Sequence, residues 1–342
     1  MKLRVGIIGL GPAWKQRHRL ALKALSDRFE VKAICAEVAA LAEQAAREFH
    51  AAPCDGFRAL ANREDIDAVL IFSPEWFGHL PVLAGCDAGK AVYCTSTFDF
   101  APEEAAEIRR RVETSGVSFM AEFPRRLAPA TIRLKELIAT RLGKPQLLFC
   151  HARVVADASG KKNATTARPG MRGLVELVDW CRYVVGFDPT SVTAIQHARV
   201  DESTDYQMMS LDFSAPGKLG SGPVAQISSG SYIPPSWPEA VAFRPPAALQ
   251  VSCERGIAFI DLPAGLVWFD EAGRHVESLE SERPVGEQLL VQFYQSVTSL
   301  IRRTANLDDS FRALHIVDKA AESFASRTRV TLFEDWDPSR SV

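Results

Sequence analysis

Gly9 and Gly11 flank a single residue in the stretch GIIGLGPAW, directly after an apolar run and just before a helical pattern. Between a strand and a helix, the first glycine permits a tight turn. The second lets backbone N–H groups approach a pyrophosphate at the helix N-terminus. This spacing predicts a dinucleotide-binding loop formed by Gly9, Gly11, Pro12, Ala13 and Trp14. The usual third glycine is Trp14 here, and an indole cannot occupy a glycine's space. Either the helix begins differently, or the ring points outward over the cofactor groove. An acid at the end of the second strand ordinarily binds the adenosine ribose. Glu37 is the candidate, with a plain surface turn as the other reading. Lys15, Arg17 and Arg19 add positive charge, which could assist a phosphate or simply form a solvated helix face. Farther on, GKAVYCTSTFDF closes a short strand on three hydroxyl residues, Thr95, Ser96 and Thr97. A serine hydroxyl relays a proton but cannot hold one near neutral pH.

These groups need a frame. In residues 1–121 strand and helix patterns alternate. LRVGIIGL, DAVLIFS and AVYC are almost wholly apolar, as expected of parallel strands covered on both faces. APEEAAEIRRRVETSG reads as a helix with Pro102 in its first turn, Glu103 and Glu104 at the positive end of its dipole, and Gly116 as its stop. The expectation is a Rossmann-type doubly wound parallel sheet, an α/β domain over 1–121. Over 122–342 the texture changes to successive partly alternating runs, such as QLLFCHARVVA, YQMMSLDF and ALQVSCE, with few helices between them. That predicts an α+β domain built on a large open antiparallel sheet, serving substrate binding and oligomerisation.

Bulk composition sets limits. The chain has 342 residues, 47% hydrophobic and 24% charged, with a formal net charge of -2. Two soluble domains are expected, and no basic excess points to nucleic acid or an anionic membrane. Seven cysteines are scattered without a CxxC pair, so neither a disulfide framework nor a zinc site is indicated. The histidines show no HxxxH or HxH spacing, and no metal site is expected. A cytoplasmic protein with reduced thiols is the simple expectation.

Several segments together resemble the glucose–fructose oxidoreductase / inositol dehydrogenase / MocA (Gfo/Idh/MocA) family: VGIIGLG, DAVLIFSP, AGKAVYC, RRLAPATIRLKELIATRLGKPQ, CERGIAFID and SFRALHIVDKAAESF. The resemblance implies a sugar or cyclitol dehydrogenase using NAD or NADP. Its members take the hydroxyl proton with the lysine of a Glu-Lys-Pro triplet, and Thr95, Ser96 and Thr97 stand there instead. Losing a positioned acid–base group costs about 10²–10⁴ in rate. On a later helix, counting back from Gly186 sets Asp179 on the family's last aspartate and Glu176 on its histidine, with Arg172 and Leu174 replacing an aspartate and a glycine. Glu176 and Asp179 lie at i and i+3 on one helix face. They could bind a polyol, Glu176 could replace the base, or both could be packing carboxylates. Ser73 and Pro74 match a Thr/Ser-Pro-Asn motif, in which Glu75 replaces the asparagine. His79 falls one residue from the family histidine and so faces elsewhere. Arg168 matches an arginine near the cofactor.

Three readings stay open. The first is an oxidoreductase with altered acid–base groups, among them Ser96, Glu176 and Asp179. The second is a non-catalytic ligand- or dinucleotide-binding regulator on the same fold. The third is a scaffold whose dinucleotide site is lost, which Trp14 motivates. The partners implied are a small sugar-like molecule and further copies of the chain, joined through the antiparallel sheet.

Overall fold

The computed structural model describes residues 2–95, 101–155, 171–198, 204–215, 217–218, 220–233, 236–243, 245–280, 282–299 and 305–332. The chain forms two compact units. The first includes Met1–Pro124 and Arg283–Phe311, and the second includes Arg125–Asn163 and Gly173–Glu282.

The first unit holds β1 (Leu3–Ile8), a wide helical turn (Trp14–His18), α1 (Arg19–Ala24), β2 (Phe29–Cys35), α2 (Ala39–Phe49), β3 (Ala52–Pro53) and α3 (Phe57–Ala61). It continues through β4 (Ala68–Ile71), α4 (Pro74–Phe77), α5 (Leu80–Asp87), β5 (Ala91–Cys94), α6 (Pro102–Ser115) and β6 (Phe119–Ala121). The six strands are parallel, in the order β3-β2-β1-β4-β5-β6. Every residue of β4 and β5 is buried, which accounts for their uninterrupted apolar sequence. α6 has the predicted ends. The Glu104 carboxylate accepts the Ala101 N–H at 3.1 Å, and Gly116 stops the helix with φ +62°.

The second unit holds α7 (Pro129–Leu137), β7 (Pro145–Val155), α8 (Met171–Val185), β8 (Ser191–Ala198), β9 (Thr204–Asp212) and β10 (Val224–Ile233). Next come β11 (Leu249–Cys253), β12 (Gly256–Asp261), β13 (Gly265–Asp270) and β14 (Gly273–Ser278). The chain then supplies α9 (Val285–Thr298), which belongs to the first unit and packs on α1 within it, followed by α10 (Ala305–Ser326) and β15 (Val330–Thr331). The strand order is β14-β13-β12-β11-β7-β10-β9-β8-β15. Every pairing is antiparallel except β7 with β10, which run parallel. This mixed rung is invisible in the sequence, because period-two alternation is the same in either direction. One face of the sheet buries Leu148, Cys150, Ile227, Leu211 and Val251. The register puts Leu147, Ile195, Phe269 and Val276 together on the opposite face, where all four are exposed.

Among the described residues, no helix is long and apolar enough to cross a membrane, and no group of three or more His, Cys, Asp or Glu could hold a metal ion.

Candidate functional site

The chain leaves β1 for β2 on one side of the sheet, and β4 lies on the other. Parallel sheets of this kind bind ligands beyond the strand C-termini at such a reversal. A cavity of about 380 Å³ opens there. Leu10, Gly11, Pro12, Lys15 and Gln16 of the glycine loop form one wall. Ala36, Glu37, Val38 and Leu41, after β2, form the second. Ser73 and Trp76, after β4, form the third. The walls therefore come from the ends of the three central strands.

The glycine loop is held close against the sheet. Gly9 has φ +81°, and its N–H donates to the Cys35 carbonyl at 2.8 Å. A Cβ on Gly9 would lie 2.4 Å from Ser73 Cβ, so only glycine fits. Ser73 itself is buried, and its Oγ has no hydrogen-bond partner among the described residues. A buried hydroxyl without a partner demands an explanation, and a polar ligand in the groove supplies one. Glu37 stands exposed on the rim two residues past β2, where a ribose would lie. These groups fit the adenosine and pyrophosphate half of a dinucleotide.

Trp14 resolves in one direction. The helix begins differently: Trp14–His18 is a π-helical turn in which the Arg19 N–H reaches back to the Trp14 carbonyl. The ring does not point over the groove, as one of the two expectations had it. It is 4% exposed and packs on Phe49 and Phe72, with ring centroids 5.4 and 5.9 Å away. A wider turn has more residues per repeat and so makes room for an indole where a glycine normally keeps helix and strand close. The groove is not blocked, which removes the motive for a lost dinucleotide site.

The other sequence candidates fall in several places. Pro12 lines the groove, whereas Ala13 and Thr95 are buried and line none of it. Thr95 Oγ1 donates to the Ile71 carbonyl at 3.3 Å, tying the end of β5 to β4. Pro74 opens α4. Ser96 and Arg168 lie outside the described residues. Of the three cations, Lys15 lines the groove, Arg17 pairs with Glu122 and Arg19 with Glu48. His79 faces α6, 3.3 Å from Glu104 and 3.5 Å from Glu107.

Sequence reasoning missed Trp76, Val38 and Leu41, exposed apolar side chains on the groove. The signal was present: an aromatic residue stands two positions after Pro74, in the segment that follows an apolar strand. It also missed the buried cluster on Glu122. This carboxylate is 1% exposed. It accepts hydrogen bonds from Arg17 and from Tyr93 at 3.0 Å, and His18 Nε2 lies 2.8 Å away. Burial alone would raise its pKa. The charges of His18 and Arg17 and the hydrogen bonds from His18 and Tyr93 outweigh burial and bring it down to about 2. Burial and the neighbouring Glu122 charge push Tyr93 the other way, far up. The cluster ties the turn after the glycine loop to β5 and to the end of β6. A carboxylate inside the apolar run FMAEF was the available clue, since a buried charge must be paired.

On α8, Asp179 is 1% exposed. Arg126 Nε donates to it at 2.8 Å, and Arg182 Nη1 lies 3.5 Å away. Glu176, one turn earlier, lies 3.7 Å from Arg125 Nε, and the Arg125 guanidinium sits over the Trp180 ring. The two acids share a helix face and each meets an arginine. Lys135, whose pKa burial lowers, donates to the Tyr183 carbonyl at 3.0 Å and so caps α8.

Residues 3–123 match the family model described as the oxidoreductase family with an NAD-binding Rossmann fold, the Gfo/Idh/MocA family. Inositol 2-dehydrogenase of Cereibacter sphaeroides is 33% identical over 163 residues, 44% of this chain and 45% of that protein. Inositol 2-dehydrogenase of Rhizobium meliloti is 24% identical over 220 residues, 62% of this chain and 64% of that one. The matches thus span between 43% and 64% of the length of the curated relatives. Levoglucosan dehydrogenase, solved with NADH and levoglucosan, superposes with a TM-score of 0.82 at 18% identity, covering 97% of this chain and 100% of that one. The fold is therefore shared along the chain, and the match to the family model covers residues 3–123.

Proposed function

We propose, on the premise that residues 3–123 belong to that oxidoreductase family, that the chain is an NAD(H)-dependent oxidoreductase acting on a hydroxyl or ketone of a sugar- or cyclitol-like molecule. The observation that carries this reading is the groove at the strand reversal, with a buried Ser73 Oγ that no described residue partners and with Glu37 on its rim. Glu37 accepts from the ribose hydroxyls and repels a 2′-phosphate, which favours NAD(H) over NADP(H). Lys15 offsets pyrophosphate charge. Val38, Leu41 and Trp76 remove the adenine faces from water. The dinucleotide, when bound, accepts or supplies the hydride. For the hydroxyl proton, the family resemblance nominates Ser96 and Glu176 as the altered acid–base groups. Of the two α8 carboxylates, Glu176 is the one left for this role, because Asp179 is buried against Arg126 and Arg182.

A cytoplasmic location and a homo-oligomer complete the reading. The association is supported by Leu147, Ile195, Phe269 and Val276, exposed apolar side chains on one face of the large sheet. The alternative, a dinucleotide-binding regulator without turnover, is favoured by the saturation of Asp179.

The test is to incubate the protein with NADH and a panel of keto-sugars and ketocyclitols while following nicotinamide absorbance. Steady oxidation is expected with at least one, and Glu176→Gln should slow it about 10²–10⁴-fold. NADH binding without turnover on any of them would replace this reading with the regulator.

A further inference from the structure

Cys35 ends β2, and Cys54 follows directly on β3. The parallel register pairs Ala33 with Ala52 and Ile34 with Pro53, and the Cys54 N–H donates to the Ile34 carbonyl at 2.9 Å. The next rung in that register sets Cys35 beside Cys54, both pointing to the same face of the sheet. Paired strands lie about 4.8 Å apart. A disulfide accepts Cα separations of about 4.4–6.8 Å. Both thiols also meet the backbone of Gly56. Cys54 Sγ donates to the Gly56 carbonyl at 3.8 Å, and a backbone hydrogen bond from Gly56 to the Cys35 sulfur favours its thiolate. Cys35 is buried and Cys54 half-buried, so only the second is open to a small reagent.

The pair sits directly under the groove. The Cys35 carbonyl accepts the Gly9 N–H, and the three residues after Cys35, namely Ala36, Glu37 and Val38, form one wall.

We infer that Cys35 and Cys54 form a redox-active dithiol that a small disulfide oxidises to an intramolecular bridge, and that the bridge weakens dinucleotide binding in the adjacent groove. The Cys54 thiolate attacks the reagent RSSR, forming a mixed disulfide and releasing RS⁻, which takes up a proton as RSH. The Cys35 thiolate then attacks the Cys54 sulfur, closing Cys35–Cys54 and releasing the second RSH. Two thiols lose two electrons and two protons, and one RSSR becomes two RSH. Burial raises both thiols above their ordinary pKa. For Cys35 the neighbouring Cys54, Asp55 and Glu37 add to this, and for Cys54 the Arg63 charge opposes it. The reduced pair is therefore protonated and stable until an oxidant arrives. Closing the bridge takes both sulfurs from their Gly56 contacts and opens the strand spacing of about 4.8 Å toward the wider Cα separation usual for a disulfide, and so shifts the Cys35 carbonyl that holds Gly9 and the start of the Glu37 wall.

The bridge itself is independent of the functional reading, while its effect on NADH binding rests on it. The full chain is treated with oxidised glutathione, digested without reduction, and mapped by mass spectrometry. Expected are peptides carrying Cys35 and Cys54 joined with loss of two hydrogens, reversed by dithiothreitol and absent in Cys54→Ser. NADH affinity, titrated on the same samples, should fall about tenfold in the oxidised protein, an ordinary size for coupling between two sites. Treated Cys54→Ser should keep the affinity of the reduced protein. Amide exchange at Gly9 should change on oxidation whether or not NADH binds, which separates this proposal from the functional one. Glutathione adducts at Cys54 without the cross-link, or a cross-link that moves neither Gly9 exchange nor NADH affinity, would overturn it.

Discussion

Around the glycine loop, Ser73 Oγ has no partner among the described residues, and Val38, Leu41 and Trp76 stand exposed along the cavity, Trp76 at 60%. On α8, Asp179 is closed off by Arg126 and Arg182, and Glu176 faces Arg125. Both regions were singled out for chemistry by residue type and spacing. The first keeps bonding capacity that the described residues do not fill. The second uses most of its own in holding the unit together. A ligand needs partners that folding has not already taken, so residue type nominates a site and the unfilled valence decides it.

The comparison breaks most readily at the buried carboxylates. Glu122→Gln leaves Arg17 and His18 without their anion and should cost about 3–5 kcal/mol in urea unfolding, the usual loss when one partner of a buried pair is removed. Its acid dependence has a definite sign. Because the folded pKa is about 2, below the ordinary 4.5, the stabilisation is present above pH 4.5 and disappears as pH falls toward 2. Glu122→Gln should flatten that limb of stability against pH, and an unchanged limb would mean that Glu122 is not the group responsible. Asp179→Asn should cost about 3 kcal/mol, because Arg126 and Arg182 lose a carboxylate at a buried site. Thermal unfolding shifted by no more than a surface substitution would return Asp179 to the ligand-binding candidates. The smallest effect belongs to the open region. Glu37→Gln should leave stability within about 0.5 kcal/mol. Isothermal titration should show NADH affinity reduced about tenfold, as for loss of a hydrogen bond to a charged group, and the preference over NADPH narrowed.

Much of this frame was legible beforehand. The apolar strands LRVGIIGL, DAVLIFS and AVYC specify parallel strands buried on both faces, because no other common environment tolerates such runs in a soluble chain. Gly9 was readable from its place between an apolar run and a helical pattern; its positive φ and the close approach of Ser73 are the physical reason that a glycine stands there. β3 was not readable. Two residues, Ala52 and Pro53, carry no periodicity, yet they set Cys54 beside Cys35. Nor was the fate of Trp14. A missing glycine says that the helix cannot sit close, not whether the helix widens or the ring turns outward. The Asp179–Arg126 ion pair was hidden for a different reason. Arg126 lies 53 positions away along the chain, and helical spacing reports only neighbours on the same element. Likewise the amphipathic pattern of α9 shows that one face is covered without naming α1 as its cover.

The central claim, that the groove at the strand reversal takes the dinucleotide, is tested most directly by titrating NADH into the wild-type chain and Gly9→Ala, read by nicotinamide fluorescence. Strain at a left-handed position costs about 1–3 kcal/mol, and a Cβ there meets Ser73. Saturable wild-type binding that weakens about tenfold or more in the folded variant is the predicted result. No saturable binding to the wild type, or equal affinity in the two, would contradict it.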